Sequence, residues 1–452
     1  MLRRAILVLA IVGLGLSIWP AARSLADLTG EEALPGQVRG VAHWLNTVIR
    51  PNPQLAPHAA ITHTDVSPFG MNVFLEQEPD PAVRDESARL AQVAGFRFLR
   101  QQFSWEDIEI HAKGDFSDRR NVEAVGVVNA WDKYDQIVAV AAKYGLQIIA
   151  RLDNPPAWSR AVGNGPDNLD SHGPPDNFAD YGDFVAATVG RYAGQITYFQ
   201  LWNEPNIFPE WGNRPPDPEK FTELACLAYR RAKAANPNAV ILAAALAPTV
   251  DFSDRNMNDL IFLDRAYRAG YGACFDIFSA QGYGFWSGPA DQRLRPTVIN
   301  YPHHLLLRDM LVLHGDADKA IWISEVGWNS PAAGVGEFFG RTTEEQRARY
   351  AVQLYQRARQ EWPWVGVVNY WFLKRATDAE KDQPFYYFRL MEPDFTPYPA
   401  YTALSAYANG PQPTPGVKVL ANWRRPLMLV ALTALFFTVL ISLPPDSAET
   451  AP

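Results

Sequence analysis

The sequence predicts an α/β protein, a (β/α)8 TIM barrel with an N-terminal and a C-terminal hydrophobic segment. Three observations carry this. Eight short runs rich in branched and aromatic residues recur through the middle of the chain. Helix-patterned stretches fill the gaps between them, which implies a parallel sheet with crossovers, and eight such pairs close a barrel. No glycine-rich fingerprint follows the first run, which weighs against an open doubly wound sheet.

The elements follow in order. Residues 1–26 read as a signal peptide or a signal anchor. Arg3-Arg4 precede an apolar run from Ala5 to Trp19, and Ser24-Leu25-Ala26 ends in a small residue suited to cleavage. Residues 27–66 form a linker with a short amphipathic helix, because Val38, Val41, Ala42, Leu45, Val48 and Ile49 keep helical spacing. The helix has little basic charge, so packing on the barrel underside is expected over lying on a bilayer.

The barrel is assigned to residues 67–408. Its strands are expected at Phe69–Phe74, Phe96–Arg100, Gln147–Leu152, Ile196–Trp202, Val240–Ala245, Asp276–Ala280, Ile321–Glu325 and Val365–Phe372. Helices are expected at Pro81–Ala94, Asp132–Tyr144, Phe178–Tyr192, Pro218–Ala235, Met257–Arg268, Pro302–His314, Thr342–Glu361 and Pro399–Tyr407. Gly95 and Gly145 stop the first two, and Pro399 opens the last at its first helical position.

A Pro-rich linker, 409–426, leads to a candidate transmembrane helix, 427–443, and a short acidic tail, 444–452. Arg424-Arg425 conflict with export, because positive charge prefers the cytoplasmic side. Export is retained because the first segment usually sets orientation. The expected location is the cell membrane with the barrel extracytoplasmic, or secretion if the first segment is cleaved and the last does not span.

Composition narrows the function classes. The chain has 452 residues, 48% hydrophobic and 20% charged, with a formal charge of −8, and nucleic acid is not an expected partner. Trp is abundant, at 14, and many follow strands; flat amphipathic rings suit both cores and sugar faces. Cys226 and Cys274 are expected as two separate buried thiols, with a single bridge left open. No Cys/His cluster has zinc spacing, so neither metal nor cofactor is expected, and His303-His304 adjacency is read as incidental.

In such a barrel chemistry belongs at the C-terminal ends of the strands. The fourth strand runs into Trp202-Asn203-Glu204-Pro205-Asn206, and the seventh ends in Trp322-Ile323-Ser324-Glu325-Val326-Gly327-Trp328. A carboxylate directly after an apolar run costs desolvation unless it is paired or used. Two at equivalent strand ends suggest a catalytic pair. A separation of about 5–5.5 Å would give retention at a sugar anomeric centre, and about 6.5–9.5 Å inversion. Spacing alone does not divide the roles.

Trp202-Asn203-Glu204-Pro205 and Ser324-Glu325-Val326-Gly327-Trp328 resemble glycoside hydrolase clan A, most of all the family 39 and family 5 barrels. The resemblance spans Ser67 to Tyr407. It implies that Glu204 is the acid/base and Glu325 the nucleophile. It implies that Asn203 meets the sugar 2-hydroxyl, that Arg100 at the end of the second strand supports the nucleophile, and that Tyr283 hydrogen-bonds it. Trp371 would be the platform under the reactive sugar. Trp328, Trp158 and Trp105 are further candidates to line the site. Relatives often carry His where this chain has Gln281, which bonds sugar hydroxyls but does not titrate near neutrality.

The third loop, Asp153 to Asn177, is long and rich in Gly, Pro and Asn. Asn206 to Pro218, with Trp211, is a candidate facing wall. Together they suggest a groove for an oligo- or polysaccharide. The expected function is a retaining glycosidase cleaving O-glycosidic bonds of an envelope or extracellular glycan. The alternatives are a membrane-attached transglycosylase and a catalytically silent carbohydrate-binding barrel.

Overall fold

The computed structural model describes residue 26 and residues 29–160 and 172–415. The apolar runs 5–19 and 427–443, the pair Arg424-Arg425 and the middle of the third loop lie outside them. Among the described residues no helix is long and apolar enough to cross a membrane.

All eight expected strands form: β1 Phe69–Val73, β2 Phe98–Ser104, β3 Gln147–Asp153, β4 Tyr198–Leu201, β5 Val240–Leu242, β6 Phe278–Gln281, β7 Ile321–Val326 and β8 Val365–Tyr370. They pair in parallel in sequence order, and β8 returns to β1. The remaining seam, β5 to β6, is joined by isolated parallel bridges, Leu242 to Ile277 and Leu246 to Ala280. The sheet is therefore a (β/α)8 barrel. A two-residue hairpin, Ser117–Asp118 against Val128–Asn129, is added in the loop after β2.

Helices cover the outside: α1 Leu34–Val48, α2 Pro81–Val93, α3 Trp131–Lys143, α4 Phe178–Arg191, α5 Pro218–Ala235, α6 Asp259–Arg268, α7 His304–Leu313, α8 Glu344–Glu361 and α9 Pro399–Ala408. Several begin on side-chain caps that satisfy orphan amides. Asp80 accepts from Ala82 N, Asp217 from Lys220 N, and Thr343 with Gln346 forms a reciprocal box. The glycine stops hold, at φ 92° for Gly95 and 64° for Gly145.

Inward residues alternate along each strand. The lower barrel is plugged by Phe98, Ile149, Leu242, Ile277, Trp322 and Val367. Two residues further up on three strands stand Arg100, Arg151 and Ser324, so the interior turns polar towards the strand C-termini. Arg100 therefore sits inside β2, not at its end as expected, because β2 continues in register with β3 as far as Ser104 and Asp153.

Two expectations are corrected. Helix α1 does not lie under the barrel. Thr47 Oγ1 accepts from Leu294 N at 3.3 Å and Glu31 pairs with Arg293 at 3.4 Å, so α1 is held at the loop after β6. Gly36, Gln37, Gly40 and Trp44 are buried, while Val38, Ala42, Leu45 and Ile49 of the expected packing face are exposed. The glycines decide this, because a Cβ on Gly40 would come within 2.6 Å of Thr29. The underside is closed instead by the chain before β1, where His63 O accepts from Trp322 Nε1 at 2.9 Å and Leu55 O from Arg308 Nε at 3.0 Å. Second, Cys226 and Cys274 are joined as a disulfide with Cα atoms 4.9 Å apart. Packing of α5 against the turn at Tyr271–Cys274 brings them together.

Candidate active site

Backbone geometry aims both carboxyls into the mouth. After β4 the chain leaves the sheet through two left-handed residues, Trp202 at φ 68° and Glu204 at φ 44°. Such conformations are uncommon outside glycine and cost about 1–3 kcal/mol each. They are held by Trp202 N donating to Leu152 O at 3.0 Å and Glu204 N donating to Ala245 O at 2.8 Å. The Trp202 ring is wedged between Tyr181 and Trp211. On β7 the register against β6 slips, with Ala280 opposite Ile323 and Gln281 opposite Glu325. The extra residue is a bulge, which turns a side chain that would otherwise face the helices.

One arginine ties the two segments together. Arg100 donates to Glu325 Oε1 at 2.8 Å, Asn203 Oδ1 at 2.9 Å, Gln200 Oε1 at 2.8 Å and Asn72 Oδ1 at 2.8 Å. Both atoms of the Arg100–Glu325 pair are buried. Tyr283 Oη donates to Glu325 Oε2 at 2.7 Å, so both carboxyl oxygens of Glu325 are held. Burial and the Glu325 charge push the Tyr283 phenol well up, which keeps it a proton donor. Arg151 on β3 stands 3.9 Å from Glu325 Oε1 and 2.8 Å from Asp153 Oδ2.

Glu204 has a different setting. Its partner is Gln281, whose Nε2 donates to Glu204 Oε1 at 2.7 Å. Burial first, then the charge of Glu325, push the Glu204 carboxyl up to about 7, with Gln281, Arg100 and Arg151 opposing. Two neighbouring carboxyls in unlike surroundings are the arrangement that separates an acid from a nucleophile.

Trp371 lines a pocket with Asn72, Val73, Phe74, Arg100, Gln102 and Arg151. Asn203 spends its carbonyl on Arg100 and keeps its amide hydrogens free of protein acceptors among the described residues. Glu204, Glu325, Asn203, Arg100, Tyr283, Gln281 and Trp371 are thus together. Trp328 is not with them. It is fully buried, donates to Ser287 O at 2.7 Å and packs on Tyr301 and Tyr350, because Gly284 lets the loop after β6 close over its ring. Trp158 is half-buried, donates to Glu109 O at 2.7 Å and meets the Trp105 ring edge-on. Trp105 is buried and stacked on Phe184, and Trp211 is buried beside Trp202.

Sequence reasoning missed Arg151, Asp153 and Glu210. Glu210 follows Glu204 by one loop turn, and its carbonyl accepts from Trp202 Nε1 at 3.1 Å. Its half-buried carboxyl has no hydrogen bond or ion pair among the described residues. Burial pushes it up to about 8, against Arg151 and with Asp153, Glu204 and Glu325, so it faces the same centre. Among the described residues no group of acids, histidines and cysteines is arranged to hold a metal ion. His303 bonds Asp259 at 2.8 Å inside the fold, and His304 is buried edge-on to Trp362.

No protein-family model matches the sequence, and no curated protein matches it. Solved structures do share the fold. A family 39 glycoside hydrolase from the gut symbiont Bacteroides cellulosilyticus WH2 superposes at TM-score 0.54 and 22% identity over 76% of this chain. The chain spans 63% of that protein's length. A glucosidase from Croceicoccus marinus gives 0.54 and 14% over 77% of this chain and 68% of its own. GH5_18 from Streptomyces cattleya, in complex with GlcNAc, gives 0.53 and 16% over 77% and 82%. The chain is similar to these in fold.

Proposed function

We propose that the protein is a retaining glycoside hydrolase acting on an oligo- or polysaccharide. The observation that carries the reading is the unequal setting of two carboxyls at the ends of β4 and β7. Glu325 meets Arg100 and Tyr283, while Glu204 is buried beside that negative charge with Gln281. In the first step Glu204 gives its proton to the glycosidic oxygen as that bond breaks, and Glu325 bonds to the anomeric carbon. In the second, Glu204 takes a proton from water, whose oxygen displaces Glu325 from the same carbon. Asn203 has its amide free to donate to the 2-hydroxyl, and Trp371 offers a ring to the sugar face. The fold neighbours described as glycoside hydrolases agree with this reading.

The test is the anomer released. NMR on fresh product from an oligosaccharide should show retained configuration, and an inverted first product sinks the double displacement. Glu204→Gln and Glu325→Gln should each abolish or severely impair hydrolysis of the natural glycan. Undiminished turnover in both sinks the assignment. Adding sugar acceptors separates hydrolysis from glycosyl transfer.

We also propose that the barrel works outside the cytoplasm, attached to the membrane by one or both terminal apolar segments. The Cys226–Cys274 bond supports this, since such bridges persist in oxidising compartments. Protease added to intact cells should reach the barrel, and a protected barrel sinks the proposal.

A further inference from the structure

A row of aromatic rings leaves the catalytic centre along the loops after β6 and β7. Tyr283, which holds Glu325, stacks on Phe285 with ring centres 5.5 Å apart and planes at 5°. Phe285 stacks on Phe339 at 6.1 Å, and Phe339 meets Phe338 edge-on at 4.9 Å. Phe388 braces the row, edge-on to both Tyr283 and Phe339. The inner rings are spent on one another. At the outer end Phe338 is 81% exposed, and Trp286, next in sequence to Phe285, is 61% exposed. Trp286 makes no ring contact and no hydrogen bond with any described residue, so its indole N–H is free.

The backbone under the row is strained and interlocked. Phe285 is held at φ 48°, a left-handed conformation that a bulky side chain rarely adopts. Gly340, at φ 80°, lies so close that a Cβ there would come within 2.3 Å of Phe285 O. Folding gives no reason to strain Phe285 beside an exposed indole while the β7 loop that it interlocks with exposes a phenyl ring. Strain of this kind collects at binding sites, and exposed apolar patches continuous with a cleft mark ligand grooves.

We infer that Trp286 and Phe338 form a distal sugar-binding platform that extends the catalytic cleft towards the nucleophile side, so that the site grips a glycan chain several units long. This rests on the glycosidase reading. A glycan fits the surface because rings offer flat apolar faces to sugar C–H groups and the free indole N–H can meet a hydroxyl. The row also runs unbroken to the residue that touches Glu325.

The test uses the full chain carrying Glu204→Gln, so that bound glycan survives, on an array of immobilised oligosaccharides graded from one to eight units. The Glu204→Gln protein should bind chains of five or more units at least about tenfold tighter than mono- and disaccharides. Adding W286A and F338A should erase that length dependence without moving the melting temperature. V93A, which alters an exposed apolar residue at the far end of the barrel, should preserve it. Binding to no glycan, affinity indifferent to length, or length dependence untouched by W286A/F338A overturns the platform. So does loss of binding to phosphatidylglycerol vesicles in W286A/F338A with glycan binding unchanged. Hydrolysis is read separately on protein with Glu204 intact. Length-dependent binding without turnover removes the catalytic reading and leaves the platform, and turnover without length dependence does the reverse.

Discussion

Gln281 donates its amide to Glu204 Oε1 at 2.7 Å while its backbone pairs opposite Glu325 in the β6–β7 register, so one residue links the segments that carry the two carboxyls. The sequence reading gave Gln281 only sugar hydroxyls. The structure puts it on the acid itself. Its own Oε1 is buried with no partner among the described residues, which leaves it to accept from a bound ligand.

Removing this donor should move the pH profile. The Gln281 bond favours the charged form of Glu204 and so lowers its pKa. Gln281→Leu therefore raises that pKa further, and the alkaline limb of kcat/KM should shift upward by about half to one unit. An unchanged limb with lower kcat/KM would show that Gln281 acts on substrate alone.

The limb itself should report Glu204. A general acid works only while protonated, so kcat/KM should fall as pH rises through about 7. Glu204→Gln should remove that limb and cost about 10²–10⁴ in rate on a natural glycan. Glycosylation by an aryl glycoside with an acidic phenol should suffer far less, since that leaving group needs no proton. Equal losses on both would move the acid role elsewhere.

Much of this was legible before the structure, for physical reasons. Branched and aromatic residues mark strands, and eight such runs with helices between them force a barrel. Glu204 and Glu325 stood out because an acid after an apolar run has few structural uses. Other residues were hidden by rules that sequence shows poorly. Arg151 and Asp153 share the inward face of β3 with Ile149, and that period-two signal was readable but not taken up. Glu210 lies in an aperiodic loop. The α1 face was misread because glycines, not the apolar residues, make the close contact. The disulfide needed the turn of α5 against Tyr271–Cys274, which no local pattern encodes.

The disulfide makes a stability prediction. It closes a stretch of 48 residues between Cys226 and Cys274, which in the chain-entropy account is worth on the order of 4 kcal/mol. The double variant C226S/C274S should unfold at lower denaturant than the parent, and dithiothreitol should lower the parent to match. A parent indifferent to reductant would mean that the bridge constrains little.

Arg100 should be irreplaceable by lysine. Its fork satisfies Glu325, Asn203, Gln200 and Asn72 at once, and an ammonium lacks that planar geometry. Breaking a buried pair by removing one partner typically costs about 3–5 kcal/mol. Arg100→Lys should lose kcat at least tenfold (about 1.4 kcal/mol) while remaining folded. Arg100→Leu should lose both activity and melting temperature. Wild-type kcat in Arg100→Lys would mean that charge alone suffices.

Glu210 is a half-buried acid at the mouth with no hydrogen bond or ion pair among the described residues. Its backbone is pinned by Trp202 and by the buried Trp211 that follows, so the carboxyl is held in place although no described residue bonds it. It lies on the loop that carries Glu204, which in the proposed mechanism is the leaving-group side. Burial first, then the charges of Asp153, Glu204 and Glu325 against Arg151, push its carboxyl up to about 8, so it is still protonated when Glu204 ionises near 7. Two roles then separate by measurement. If Glu210 contacts the leaving-group sugar, Glu210→Gln should raise KM for oligosaccharides about tenfold, the loss of one hydrogen bond of about 1.4 kcal/mol, with kcat little changed. If it makes no such contact, KM should hold and the alkaline limb should stay near 7, because a Glu210 raised to about 8 is still uncharged when Glu204 ionises.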